Sequence, residues 1–128
     1  MSYYFSKFVD YSYEEALVKV TEELKKEGFG VLTEIDVKAT LKNKLDIDFK
    51  KYKILGACNP PLAHKALTAE DKIGVLLPCN VIVQEIEDGK VEVAAMNPAE
   101  AMQAVNNPNL SDVAESVTSK LKKVLESL

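Results

Sequence analysis

Two short segments set a thiol beside a carboxamide, each within two residues of a proline: Gly56-Ala57-Cys58-Asn59-Pro60-Pro61 and Leu76-Leu77-Pro78-Cys79-Asn80. These are the only two cysteines in 128 residues, and the only histidine, His64, follows the first segment closely. Each segment falls where a strand ends or is broken, and such places free backbone groups from the ladder. Three chemistries fit this cluster and remain open on sequence alone. Both cysteines can be small buried hydrophobes in apolar strands, with Asn59 capping a helix. Cys58, Cys79 and His64 can bind a soft metal, zinc or copper(I), although a closed zinc site wants four ligands and no CxxC or HxxxH spacing supplies them. One cysteine can be a reactive thiol, activated by the N-terminus of a helix that starts at Asn59, with the other resolving it.

Two further residues have alternative roles. His64 can act as a general base only with an orienting partner; otherwise it is a surface or packing histidine. Asp36 directly follows an apparent strand and precedes a helix, which suits a helix cap as well as a catalytic carboxylate. The candidate ligand-binding set is therefore Asp36, Cys58, Asn59, His64, Cys79 and Asn80. No nucleophile elbow, dinucleotide fingerprint or metalloprotease helix is present, so no enzyme class emerges.

Composition narrows the field. All sixteen basic residues are lysines, against twenty acidic ones, for a formal net charge of -4. Without arginine the chain lacks the planar fork that reads guanine edges and phosphates, and nucleic acid is not an expected partner. The acidic excess lies wholly in the second half, and neither half forms a basic patch. The most apolar run, Ile73 to Val83, contains Pro78 and Asn80 and is too short to span a bilayer. The first residues lack a secretory pattern, which places the expected location in the cytoplasm with reduced cysteines.

The elements that must position these residues follow from periodicity. Tyr3 to Val9 reads as a strand. A helix from Tyr13 to Glu27 has Ser12 and Glu15 as a capping box, Tyr13, Leu17, Val20 and Leu24 on one face, and Gly28 as its stop. Phe29 to Ile35 reads as a strand with Phe29, Val31, Thr33 and Ile35 on one face. A short helix capped by Asp36 carries Val37, Leu41 and Leu45, and the lysine-rich stretch from Lys38 to Lys53 reads as a solvated face. Lys53 to Cys58 is a strand, and a short helix from Pro60 to about Leu67 is capped by Asn59. Ile73 to Ile86 reads as a strand that must bulge, bend or lie at an edge at Pro78, and Asp88-Gly89 turns it into Val91 to Met96. Asn97-Pro98-Ala99-Glu100 opens another short helix, and an apolar stripe from Leu110 to Leu128 marks a long final one. The sum is one α+β domain spanning 1–128. Its mainly antiparallel sheet has strand, helix, four strands with short inserted helices, then helix, and the long helices pack on one face.

Over roughly residues 29 to 100 the sequence resembles the family called domain of unknown function 302. The resemblance rests on Val31-Leu32-Thr33-Glu34-Ile35-Asp36 with Leu41 and Leu45, on Tyr52 through Pro60, on Leu76 through Val83, and on Val91-Glu92-Val93 with Asn97-Pro98. It implies an architecture similar to the TATA-box-binding protein and a homodimer, and it implies no activity, because the family has none assigned. Similarity to a DNA-binding fold does not carry function with it. The first expectation is thus a small-molecule-binding or structural module with no resident cofactor. In it, sheet and long helices enclose an apolar pocket, and the Cys58/Asn59 and Cys79/Asn80 turns form its polar rim. The alternative is a thiol-redox or soft-metal protein using Cys58, Cys79 and His64.

Overall fold

The structure, a computed structural model, describes residues 2–128. Its first helix shows how local chemistry sets the ends of an element. Ser12 has an extended backbone and its hydroxyl accepts from the Glu15 amide at 3.1 Å, which starts α1 (Tyr13–Lys26). Gly28, at φ +86°, ends it in the left-handed region. There the Gly28 amide donates to the Lys25 carbonyl and the Phe29 amide to the Leu24 carbonyl, the paired bonds of a Schellman motif. Tyr13, Ala16, Val20 and Leu24 are buried along one side. The last helix, α5 (Ser111–Glu126), buries Val113, Ala114, Val117, Leu121, Val124 and Leu125 in the same way.

Both helices pack on a five-stranded, wholly antiparallel sheet. Its strands are β1 (Tyr4–Val9), β2 (Gly30–Asp36), β3 (Tyr52–Cys58), β4 (Cys79–Glu85) and β5 (Val91–Met96), in the spatial order β1-β5-β4-β3-β2. The inner face contributes Leu55, Ala57, Cys79, Val81, Val83, Val91, Val93 and Ala95 to the core. The fold is α+β, with strand, helix, four strands and helix as the pattern predicts. The Asp88-Gly89 hairpin is present, with both residues at positive φ, 66° and 71°. α4 (Pro98–Ala101) is capped by Asn97, whose side-chain oxygen accepts from the Ala99 amide at 3.2 Å.

Three expectations change. The run from Ile73 is not a bent strand: residues Asp71–Leu76 form a 3-10 helix, and β4 begins only at Cys79. Pro78 therefore lies ahead of the strand, after a cis Leu77–Pro78 peptide, and removes no donor from a ladder in which β4 is central. The irregularity falls in β2 instead, where the register shifts between Val31 and Thr33. One extra residue reverses the alternation. Val31 thus pairs with inward-facing Ala57, whereas Thr33 and Ile35 pair with Gly56 and Ile54 on the opposite face. Finally, α2 (Val37–Leu45) buries nothing fully; Val37 and Leu41 are half-buried and Leu45 is exposed.

The bulge is locked by Gly56. A Cβ at this position would collide with Thr33 Oγ1 and would sit 2.8 Å from Pro78 Cγ, neither of which is a long flexible side chain. Only glycine lets β2 and the approach to β4 close over β3 here. Gly56→Ala is expected to lower stability by about 1–3 kcal/mol through overpacking, read as a shifted midpoint in urea unfolding; an unchanged midpoint would mean that Thr33 and Pro78 move aside freely.

Candidate functional site

Asn59 closes β3 and opens α3 (Pro60–Ala69), with Pro60 at the first helical position. Its Oδ1 accepts from the Leu62 amide at 3.4 Å, and its Nδ2 donates to the Glu27 carbonyl at 3.2 Å. This cap aims α3 across the end of the sheet. Beneath it lies a cavity of about 350 Å³ bounded by the ends of β2, β3 and β4, by α3 and by α5. Phe29, Leu32, Leu62, Ala66, Leu77, Met102, Val113 and Val117 supply apolar walls. Thr33, Cys58, Asn59 and Cys79 are its polar side chains, and no charged side chain lines it.

The two thiols differ in setting. Cys79 pairs with Ala57 in the ladder and is buried with it, and Cys58, the next residue, points the other way. Both reach the cavity because it wraps the strand ends, and both are free thiols. Burial, with a smaller contribution from neighbouring Cys58, pushes the Cys79 thiol up to about 11 from an ordinary 9. It is therefore a neutral, weakly polar group at physiological pH. Cys58 is half-buried.

The remaining sequence candidates lie elsewhere. Asn80 is exposed and faces a groove on the opposite side of the sheet, so the two Cys-Asn pairs do not form one shared rim. His64 is exposed on α3 and does not line the cavity. Asp36 caps α2 by accepting from the Ala39 amide at 3.0 Å. Among the described residues no group of three His, Cys, Asp or Glu side chains lies close enough to hold a metal ion. Sequence reasoning missed Leu32, Met102, Val113 and Val117. Met102 follows the expected helix start at Asn97-Pro98, and the two valines belong to the amphipathic stripe of α5, but nothing local says that they face a void rather than a filled core.

A family model described as "Domain of unknown function DUF302" matches residues 5–128. The crystal structure of an uncharacterized conserved DUF302 protein from Bacillus stearothermophilus superposes with a TM-score of 0.91 at 29% sequence identity, covering 98% of this chain and 98% of that one. No curated protein matches the chain at a significant level. No helix is long and apolar enough to cross a membrane among the described residues.

The contrast between the thiols is directly measurable. In the folded protein at neutral pH, iodoacetamide should modify Cys58 and spare Cys79, which should react only after unfolding. Peptide mass mapping reads this, and equal labelling of both sites in the native state would contradict the burial of Cys79.

Proposed function

The chain belongs to the DUF302 family, whose function is unknown, and from that premise we propose that it is a binding protein whose ligand is a small apolar molecule seated in the cavity under α3. One observation carries the reading: the cavity offers hydrocarbon walls and no charged side chain. Asn59 spends both ends of its amide on backbone partners. Cys79 stays a thiol at neutral pH, and no carboxylate, imidazole or ammonium lines the space to serve as acid or base. A site of this kind gains affinity by removing apolar surface from water, at about 25 cal/mol per Å². Its 350 Å³ correspond to roughly a dozen water-sized volumes of about 30 Å³ each, which suits a compact ring system or a short chain.

A role in thiol or soft-metal chemistry has less support, since His64 stands apart and Cys79 resists ionisation. The test of the main reading uses the neutral fluorophore N-phenylnaphthylamine. Its emission should rise saturably with the wild-type protein, and Ala63→Phe, at a position of α3 that lines the cavity, should weaken binding at least tenfold while the circular dichroism spectrum is kept. A variant that binds as well as wild type, or no saturable rise at all, would sink the proposal.

The homodimer implied by the family resemblance has a surface that supports it. β2 is an edge strand whose outer backbone groups lack a ladder partner among the described residues, and it exposes Leu32 (68%) and Ile35 (49%). Beyond the bulge at Val31 to Thr33, residues 33–36 keep a regular register with β3 and form the segment we propose for pairing with a second copy. Sedimentation should show a dimer for wild type and a monomer for Ile35→Glu; a wild-type monomer at high micromolar concentration would remove this part of the proposal.

A further inference from the structure

The sheet face turned away from α1 and α5 holds a second, chemically different recess. The register sets Tyr52, Gln84 and Glu92 side by side across β3, β4 and β5. With Tyr3, Tyr4 and Asn80 they surround a groove of about 500 Å³ that shares no lining residue with the apolar cavity. Gln84 Nε2 donates to Glu92 Oε1 at 2.7 Å, which leaves Gln84 Oε1 as a buried acceptor without a partner among the described residues. Glu92 takes part in no ion pair among the described residues. Tyr3 and Tyr4 meet edge-to-face with ring centroids 5.0 Å apart.

No lysine lines this groove, and the chain has no arginine to reach into it. The groups without a cationic partner among the described residues therefore carry one sign of potential: the Glu92 carboxylate and the Gln84 amide oxygen, set beside phenol rings. The Tyr52 ring already draws an ammonium at the rim, where Lys50 Nζ lies 5.9 Å from its centroid. The lining also includes Ile82 and Ala94, next to the Gln84–Glu92 pair, and phenol rings beside a carboxylate stabilise an organic cation by cation–π attraction and direct charge pairing together.

We propose that this groove is a binding site for a small alkylammonium ion, with Glu92 as its counter-charge and Tyr3, Tyr4 and Tyr52 as its walls. Gln84 holds the Glu92 carboxylate in place, and Asn80 at the other end of the lining can accept from an N–H or O–H of the ligand. The site is independent of the apolar cavity, so each can fail without the other.

The absence of tryptophan supplies the probe, because three of the chain's five tyrosines line the groove and intrinsic tyrosine emission reports on it. Choline titrated into the whole protein should change that emission saturably, and dimethylbutanol, its neutral isostere, should bind at least tenfold more weakly. Glu92→Gln, which keeps the shape and the contact to Gln84, should weaken choline at least tenfold without moving the thermal unfolding midpoint. Should that variant fold poorly, the affinity of wild type must still fall as sodium chloride is raised, since the interaction is one of charge. No saturable change with choline in the tens of millimolar overturns the proposal. So does equal binding of dimethylbutanol, which would mark a merely apolar groove, and so does a Glu92→Gln protein that binds choline like wild type.

Discussion

Asn59 holds together the corner on which the rest of the molecule depends. One end of its amide caps α3 and the other ties down the Glu27 carbonyl at the close of α1. Gly28 lies so near that an added Cβ would stand 3.0 Å from Asn59 Nδ2, and Gly30 pairs with Cys58 immediately before it. The end of a helix, the start of an edge strand, the end of an inner strand and the start of the next helix thus meet on one buried side chain. A buried amide stripped of either bond would leave a backbone group unsatisfied, at a cost of about 1–3 kcal/mol. The roof of the cavity is fixed by this geometry and not by the shape of any ligand.

Strand alternation then divides the chemistry between two faces. Consecutive residues point to opposite sides, so Cys79 enters the core while Asn80 faces the open groove. Similar local spelling at the two Cys-Asn pairs does not give similar placement. At Asn59 the strand has already ended and the side chain turns to cap a helix, whereas at Asn80 the strand has just begun. Reading the two pairs as one polar rim treats sequence similarity as spatial equivalence, and the pleat separates them.

The parts of the fold that were legible in the sequence are those whose cause is local. Ser12, Gly28, Asn59 and Asn97 mark helix ends through bonds that span two to four residues, and Asp88-Gly89 sets its own turn. The stripe of α5 repeats often enough to name its buried side. What could not be read there depends on contacts distant in sequence. The bulge in β2 exists because Gly56 on the neighbouring strand leaves room for Thr33. The residues from Ile73 to Leu76 have strand-like composition, yet they form a 3-10 helix whose Ile73 is buried in the core, and β4 begins only at Cys79. Asp36, read as both cap and candidate, was decided by its bond to the Ala39 amide. The cavity was the least legible feature, because a void is a property of packing between Phe29, Met102 and Val117 and has no motif.

The same separation underlies our proposal that the cavity binds a ligand. Catalysis by acid, base or thiolate needs a group whose proton is poised near the working pH and aimed at the substrate. The perturbed group on the cavity wall is Cys79, and burial moves it away from that range by favouring the neutral thiol. An apolar interior enforces this: the dehydration that would favour a hydrocarbon ligand also penalises every charged form placed beside it. Charge and unmatched acceptors are tolerated on the other side of the sheet, where Glu92 remains partly in contact with water. A single layer of backbone therefore separates two recesses of different polarity, and the polarity of each follows from which side of the pleat its residues occupy.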